Sequence, residues 1–216
     1  MTVDLYHMAA SGPCRAVRMV AELISVNLNL KDVDILAGEQ NKPEFLKMNP
    51  QHCVPTIDDD GFYLWESRAI MQYLINKYAP DSSLYPKDPR QRAMVDMMLY
   101  FDMGTLYKTQ GELFYPQAFK GEAPDPEKES NYKTALGYLE TYLTKTSYVA
   151  GDKLTLADIS VVASLSMMEV LDYDFQSFPK LYSWMAKMKK EIPNYKTMND
   201  EPLEKFKAWV KSNKNQ

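Results

Sequence analysis

The spacing of apolar and polar positions along the chain changes near residue 80. Val3 to His7 reads as a short strand. Pro13 opens a helix, because its fixed φ and missing N–H suit a first turn. In that helix Val17, Val20, Ala21 and Ile24 recur at i, i+3, i+4 and i+7, with Arg15, Arg18 and Glu22 on the other side. Leu28 to Ile35 reads as a strand whose alternation slips at Lys31-Asp32. Val54 to Ile57 and Phe62 to Trp65 are apolar runs joined by Asp-Asp-Asp-Gly, a hairpin signal. Glu66 to Tyr78 returns to helical period through Ile70, Tyr73, Leu74 and Tyr78. The expected order is β-α-β, a connection, then β-β-α.

The Pro- and Ser-rich stretch APDSSLYPKDPRQR, residues 79–92, breaks the periodicity and marks a boundary between a domain of residues 1–80 and one of residues 88–216. The second half reads as helical. Tyr132, Leu136, Leu139 and Leu143 keep helical spacing, and Thr155 to Leu171 is apolar nearly all round, as a central buried helix would be. Thr155 and Asp158 have capping-box spacing, with Leu154 and Ile159 placed to staple the helix start. Residues 120–130, KGEAPDPEKES, read as a solvated loop, and Lys187 to Glu191 as a solvated helix face.

Composition narrows the function. With 216 residues, 45% hydrophobic and 25% charged, the chain can bury a sizeable core. A net charge of -4 argues against nucleic acid as a partner. No apolar run reaches membrane-spanning length, so no membrane insertion is expected. The opening MTVDLYHMAASG lacks a basic region before an apolar stretch, so no signal peptide is expected. Two cysteines make no disulfide framework and suggest the reducing cytoplasm.

Four short stretches carry candidate chemistry. Ser11-Gly12-Pro13-Cys14 has Cys-x-x-Cys spacing with a hydroxyl in the first position. Ser11 stands just before a helix, so its hydroxyl and the helix N-terminus can together stabilise a thiolate. A turn or cap role is its bland alternative. Ser11 also removes the dithiol, so Cys14 and Cys53 are read as structural. At Val54-Pro55 a cis bond would leave the Val54 backbone to pair with an extended peptide, whereas a trans bond would leave an ordinary strand edge. Glu66-Ser67-Arg68 begins a helix, where unsatisfied N–H groups favour an anion while Glu66 takes an ammonium. That constellation suits a zwitterionic amino-acid end; plain helix capping is the alternative. Gln51 and His52 precede the strand edge and can reach a second carboxylate. His7, Cys14, His52 and Cys53 lack metal-ligand spacing, and no metal is expected.

The β-α-β-β-α layout with a proline at the third strand resembles a thioredoxin-like domain, so the fold expected is α/β plus all-α: a thioredoxin-like domain, then a helical bundle. NPQHCVPTIDDDGFYLWESRAIMQYL, residues 49–74, with ASGPCRAV upstream and TLAD downstream, resembles the cytosolic glutathione S-transferases along essentially the whole chain. The resemblance is greatest to the insect delta class, with the epsilon class next. It implies a transferase that joins reduced glutathione to hydrophobic electrophiles in detoxification, needs no cofactor and works as a homodimer. Ser11 would then stabilise the glutathione thiolate, and Gln51, His52, Val54, Pro55, Glu66, Ser67 and Arg68 would hold the tripeptide. Tyr107, Tyr115, Phe119 and Phe206 would line the hydrophobic subsite, expected in a cleft between the domains, although an aromatic stripe at this spacing also fits a core. Many delta-class relatives carry a histidine where this chain has Gln40, which removes a positive charge. The resemblance also suggests Asp102 at a dimer interface. A non-catalytic carrier of apolar ligands and a glutathione-dependent peroxidase or isomerase are the competing readings.

Overall fold

The computed structural model describes residues 2–213. Two compact units divide the chain, Met1–Ser82 and Ser83–Gln216.

In the first unit, strand β1 (Thr2–His7) leads to helix α1 (Gly12–Leu23) and strand β2 (Asn27–Asp32). A single 3-10 turn and the short helix α2 (Pro43–Met48) follow, then the β3 (Thr56–Asp59) and β4 (Phe62–Trp65) hairpin and helix α3 (Ser67–Tyr78). The sheet order is β2-β1-β3-β4, with β1 and β2 parallel and the other pairs antiparallel. Alternation on β1 buries Val3, Leu5 and His7. The apolar stripe of α1, with Val17, Val20 and Ala21, and that of α3, with Ile70, Leu74 and Ile75, are buried as well, and the two helices pack together. On the other residue parity of β1, Tyr6 meets Phe45 of α2 edge to face at 6.0 Å. Each such buried side chain contributes about 1.5–3 kcal/mol. The hairpin turns at Asp60 (φ 57°) and Gly61 (φ 85°); two positive φ values in succession are what a tight hairpin needs.

A buried carboxylate locks the end of this hairpin to α3. Asp59 accepts hydrogen bonds from Tyr73 Oη, Lys77 Nζ and Tyr78 Oη, all at 2.7 Å to Oδ2. Burial alone raises its pKa, but the donors of Lys77, Tyr73 and Tyr78 outweigh it and hold the carboxyl below the usual range.

The second unit contains helices α4 (Pro89–Phe101), α5 (Tyr107–Lys120), α6 (Pro126–Leu143), α7 (Leu156–Ser166), α8 (Pro179–Glu191) and α9 (Glu201–Asn213). A π-helical turn, Asp102–Leu106, links α4 to α5. Every residue of α7 is buried, and it packs against α4 and α8. The capping box forms at its start: Asp158 Oδ2 accepts from the Thr155 N–H at 2.9 Å and from the Thr155 hydroxyl at 3.0 Å. Its other oxygen accepts from the Val149 N–H at 2.9 Å and from Trp184 Nε1 at 3.2 Å, so one carboxylate joins the helix start to a loop and to α8. Tyr132, Leu136, Leu139 and Leu143 are buried on α6 as their spacing predicts. None of the helices, over the described residues, is long and apolar enough to cross a membrane.

Four expectations need correction. Strand β2 ends at Asp32 rather than Ile35, because the Val33 N–H turns back to the His7 carbonyl at 2.8 Å and Asp34 starts a turn by accepting from the Ala37 N–H. The third strand begins at Thr56, so Val54 and Pro55 precede the ladder. Helix α7 stops at Ser166 and a 3-10 segment, Met167–Leu171, finishes the apolar run. Residues 126–130 are helical: Asp125 caps α6 by accepting from the Glu127 and Lys128 N–H groups, which leaves residues 121–125 as the exposed connection.

Candidate active site

Ser11 lies at the junction of β1 and α1. It is the residue before the helix, with extended φ −63° and ψ 124°, and is half-buried. Its backbone is tied at both ends: its N–H donates to the Met8 carbonyl at 3.0 Å, and its carbonyl accepts the Arg15 N–H at 2.9 Å. A serine in this position normally folds its hydroxyl over the first helical N–H groups. Ser11 makes no such cap bond. The helix end therefore keeps its partial positive charge beside an oxygen that is not spent on capping.

Cys14 is fully buried. Burial pushes its thiol up to about 11, against the pull of the Ser11 hydroxyl, the Met8 N–H and the charges of Arg15 and Arg18. At neutral pH it is a protonated thiol and a poor nucleophile. Cys14 and Cys53 are both free thiols. His7 is also buried, with Nε2 3.2 Å from Asp32 Oδ1; burial first, then the Arg18 charge, lower its pKa against the pull of Asp32. No cluster of His, Cys, Asp and Glu suited to a metal occurs among the described residues.

The loop before β3 is organised by Asn49, which is fully buried and which the sequence did not single out. Its Nδ2 donates to the Cys53 carbonyl at 3.1 Å and to Thr56 Oγ1 at 2.9 Å, while its Oδ1 accepts the Gln51 N–H at 2.8 Å. These bonds fix the turn that presents Gln51 and His52, both exposed, with His52 at a positive φ of 43°. The Val54–Pro55 bond is cis. Val54 is half-buried, and its N–H and carbonyl have no partner among the described residues.

Glu66 precedes α3 at φ 69° and ψ 102°, a backbone conformation that side chains other than glycine rarely adopt. Glu66 is exposed, Ser67 buried and Arg68 half-buried, with Arg68 Nη1 donating to Ser67 Oγ at 3.2 Å. The arginine thus uses the acceptor side of the hydroxyl and leaves its proton to be donated. Acid, hydroxyl and guanidinium stand together at one helix N-terminus, as their adjacency predicted. Gln40 does not join them by any bond; its Nε2 donates to the Ile35 carbonyl at 3.4 Å in its own loop.

In the helical unit the four aromatic candidates form one chain of contacts. Tyr107 and Tyr115 bring their hydroxyls to 3.2 Å. Tyr115 meets Phe119 at 5.9 Å between ring centroids, and Phe119 meets Phe206 at 5.9 Å. Phe114 and Trp209, which the sequence reading passed over, complete the cluster: Trp209 lies parallel to Phe206 at 5.6 Å, and Phe114 touches both Tyr115 and Phe206. Tyr115 and Phe119 remain 44% and 45% exposed, whereas Phe206 is 6% exposed and backs the patch from below. Asp102, expected at a subunit interface, is instead fully buried within this unit, where it accepts a hydrogen bond from the Ser160 hydroxyl.

A thioredoxin-like sheet carrying a hydroxyl at the first helix, a cis-proline loop and an acid–serine–arginine helix start, followed by an all-helical unit, defines the glutathione transferase class of enzyme. The chain matches the family models for the glutathione S-transferase N-terminal domain over residues 1–76 and the C-terminal domain over residues 94–193. It is similar to a delta-class glutathione transferase of Nilaparvata lugens, with 47% identity, TM-score 0.93, and coverage of 97% of this chain and 99% of that one. A glutathione transferase of Bombyx mori is 43% identical, with TM-score 0.93 and coverage of 97% and 98%. An epsilon-class enzyme of the housefly, Musca domestica, is 36% identical, with TM-score 0.90 and coverage of 99% and 98%. The protein belongs to the glutathione S-transferase family; it is an enzyme that uses glutathione as co-substrate, and its likeness to the delta class exceeds that to the epsilon class.

Proposed function

We propose that this transferase conjugates reduced glutathione to hydrophobic electrophiles in detoxification, with Ser11 donating a hydrogen bond to the glutathione thiolate. The observation that carries the reading is the Ser11 hydroxyl at the start of α1, which makes no cap bond. An unperturbed thiol is only a few per cent ionised at neutral pH. A hydroxyl donor and a helix N-terminus both favour the charged form and raise the share of reactive thiolate.

The remaining contacts follow the chemistry of the tripeptide. The cysteinyl unit pairs with the open backbone of Val54 beside Pro55, as an added strand does. The γ-glutamyl end places its ammonium on Glu66 and its carboxylate on Ser67 and Arg68. Gln51 and His52 take the glycyl carboxylate. Tyr107, Tyr115, Phe119 and Phe206 supply the apolar surface for the electrophile. Residues 1–80 act as the glutathione-binding domain and residues 88–216 carry the hydrophobic subsite. No step calls for a metal or a redox cofactor. The enzyme acts in the cytoplasm as a homodimer. Along α4, the exposed side chains Met94, Met97 and Tyr100 recur every third residue and supply an apolar stripe of the kind a second copy would cover.

Retention on immobilised glutathione followed by kinetics tests the reading. Halogenated aromatics, unsaturated carbonyls and organic hydroperoxides form the panel. Conjugation of the first two classes is expected. Turnover confined to hydroperoxides would replace the conjugating role with a peroxidase one, and absence of retention would remove the proposed tripeptide contacts.

A further inference from the structure

The turn that carries Ser11 springs from a buried histidine. His7 closes β1 and is 2% exposed. Its carbonyl accepts the Val33 N–H at 2.8 Å, and the Met8 carbonyl, one residue on, accepts the Ser11 N–H at 3.0 Å. Ala10 is buried, and its carbonyl accepts Arg15 Nε at 3.2 Å, so the corner has little room to absorb a shift of His7.

The imidazole is poorly provided for as a cation. Nε2 comes within 3.2 Å of Asp32 Oδ1, on its partner in the β1–β2 register, without making a hydrogen bond, and Nδ1 has no partner among the described residues. A neutral imidazole carries one N–H and a protonated one carries two. The second proton therefore adds a buried donor with no acceptor as well as a buried charge. Asp32 offsets little of this, because its side chain is 89% exposed and solvent screens it. Arg18 of α1 and Asp32 of β2 are the charged groups that face the ring; burial and the Arg18 cation disfavour the proton and outweigh the pull of Asp32.

We propose that His7 is a positioning residue that holds the Ser11 turn only while its imidazole is neutral: a proton on His7 loosens the corner between β1 and α1 and takes the Ser11 hydroxyl out of line with the ligand thiolate. This rests on the reading of Ser11 as the thiolate donor. The closed corner offers the second N–H no acceptor, so the charged ring reaches water only if the end of β1 opens. The bond from Ser11 to Met8 begins one residue further along and lies in the path of that opening. The proton comes from solvent and returns to it as pH rises, so the loss is reversible.

The test follows His7 ionisation and activity together from about pH 5 to about pH 8. The chain has two histidines, His7 and His52, so labelled imidazole NMR signals are assigned by the one that His7→Gln removes. His7 is expected to titrate below the ordinary value of about 6.5. kcat/KM and the thiolate absorbance of bound glutathione are measured for the parent, His7→Gln, His7→Phe and Ser11→Ala, and melting temperature at each pH keeps the comparison to folded protein. Ionisation of the ligand thiol alone gives log kcat/KM a slope of about one against pH. In the parent the slope is expected to steepen toward about two below the His7 midpoint. One unit below that midpoint, activity is then about five- to tenfold lower than thiol ionisation accounts for. In both His7 variants nothing titrates at this position, and the slope is expected to stay near one, each profile being scaled to its own alkaline plateau. A His7 midpoint at the ordinary value, a parent slope of one throughout, or the same steepening in a folded His7 variant would each overturn the proposal. Should neither variant fold, the titration and slope of the parent decide it. Ser11→Ala separates the two readings. A raised bound-thiol pKa with a slope near one supports both. A raised pKa with the steepening still present means that the proton acts elsewhere, and only the role of His7 fails. An unshifted pKa removes the thiolate role of Ser11 and this one with it.

Discussion

Under the proposed role of its hydroxyl, replacing Ser11 by alanine is expected to separate catalysis from stability. A serine that caps its helix costs about 1 kcal/mol when truncated. Ser11 makes no cap bond, so Ser11→Ala is expected to cost less than that, a change of a few degrees in melting temperature at most. The thiolate loses more. A hydrogen bond to a charged group is worth roughly 1.5–3 kcal/mol. At about 1.36 kcal/mol per unit, its removal raises the pKa of bound glutathione by roughly one to two units. Below both pKa values the thiolate fraction, and kcat/KM with it, falls on the order of tenfold to a hundredfold. The difference shrinks as pH rises, because alkali ionises the thiol unaided, and it closes above the variant's pKa. The N-terminus of α1 remains, so some activation persists in the variant. Glutathione affinity changes little, since the proposed contacts to the two ends lie at Gln51–His52 and Glu66–Arg68. The assay is a pH series of kcat/KM for both proteins, with thiolate absorbance of the bound peptide and a thermal melt. An unchanged thiol pKa with full activity would refute the reasoning. A loss of activity that follows a large loss of stability, with no pKa shift, would refute it as well.

Three further outcomes follow from the same geometry. Glu66→Gly relieves a positive φ that disfavours a side chain, so its melting temperature is expected to hold or rise while its glutathione Kd increases at least tenfold; binding that survives would leave Glu66 a structural residue. Asp59→Asn is expected to be destabilised at neutral pH. Because the Asp59 carboxyl is held below its usual range, its contribution is present above about pH 4, the unfolded value, and is lost as pH falls through the folded one, so the denaturant midpoints of parent and variant should converge in acid. Asp158→Ala strands the buried donors of Val149, Thr155 and Trp184 and is expected to cost about 3–5 kcal/mol, read from urea unfolding; a loss under about 1 kcal/mol would mean that water replaces the carboxylate.

The elements legible in the sequence were those whose side chains face one way. Val17, Val20 and Ala21 on α1, and Tyr132, Leu136 and Leu139 on α6, are buried because a regular helix repeats its inward face every three or four residues. Where the backbone answers to something other than that face, the pattern misled. Val33 is buried like a strand residue but bonds the His7 carbonyl as the chain leaves the sheet. The run from Met167 to Leu171 is apolar enough for a helix, and apolarity does not separate α from 3-10 turns. Asp125-Pro126-Glu127 carried a helix-start signal that the surrounding charge obscured. The site divides along the same line. Glu66-Ser67-Arg68 was legible because its three groups are adjacent in the chain. The ties made by Asn49 and the positive φ of Glu66 depend on distances and backbone angles that residue spacing does not state.

The spacing of Ser11 and Cys14 explains why an oxygen stands where a dithiol would place sulfur. Residues three apart across a helix start put the first at the open end and the second inside the first turn. Were both sulfur, the outer one would be activated by the helix N-terminus and react for itself. A hydroxyl in that position stays protonated at neutral pH, so it can donate a hydrogen bond without reacting for itself. The inner sulfur, fully buried and held near 11, does not ionise to compete for that donation. Under the proposed mechanism the only thiolate the turn can stabilise is therefore one that arrives with a ligand. The identity of the nucleophile is then decided by the groups that recognise the peptide around it, the open backbone of Val54 and the charged start of α3. Under that mechanism, the same turn that keeps the chain from acting as its own nucleophile makes it dependent on glutathione.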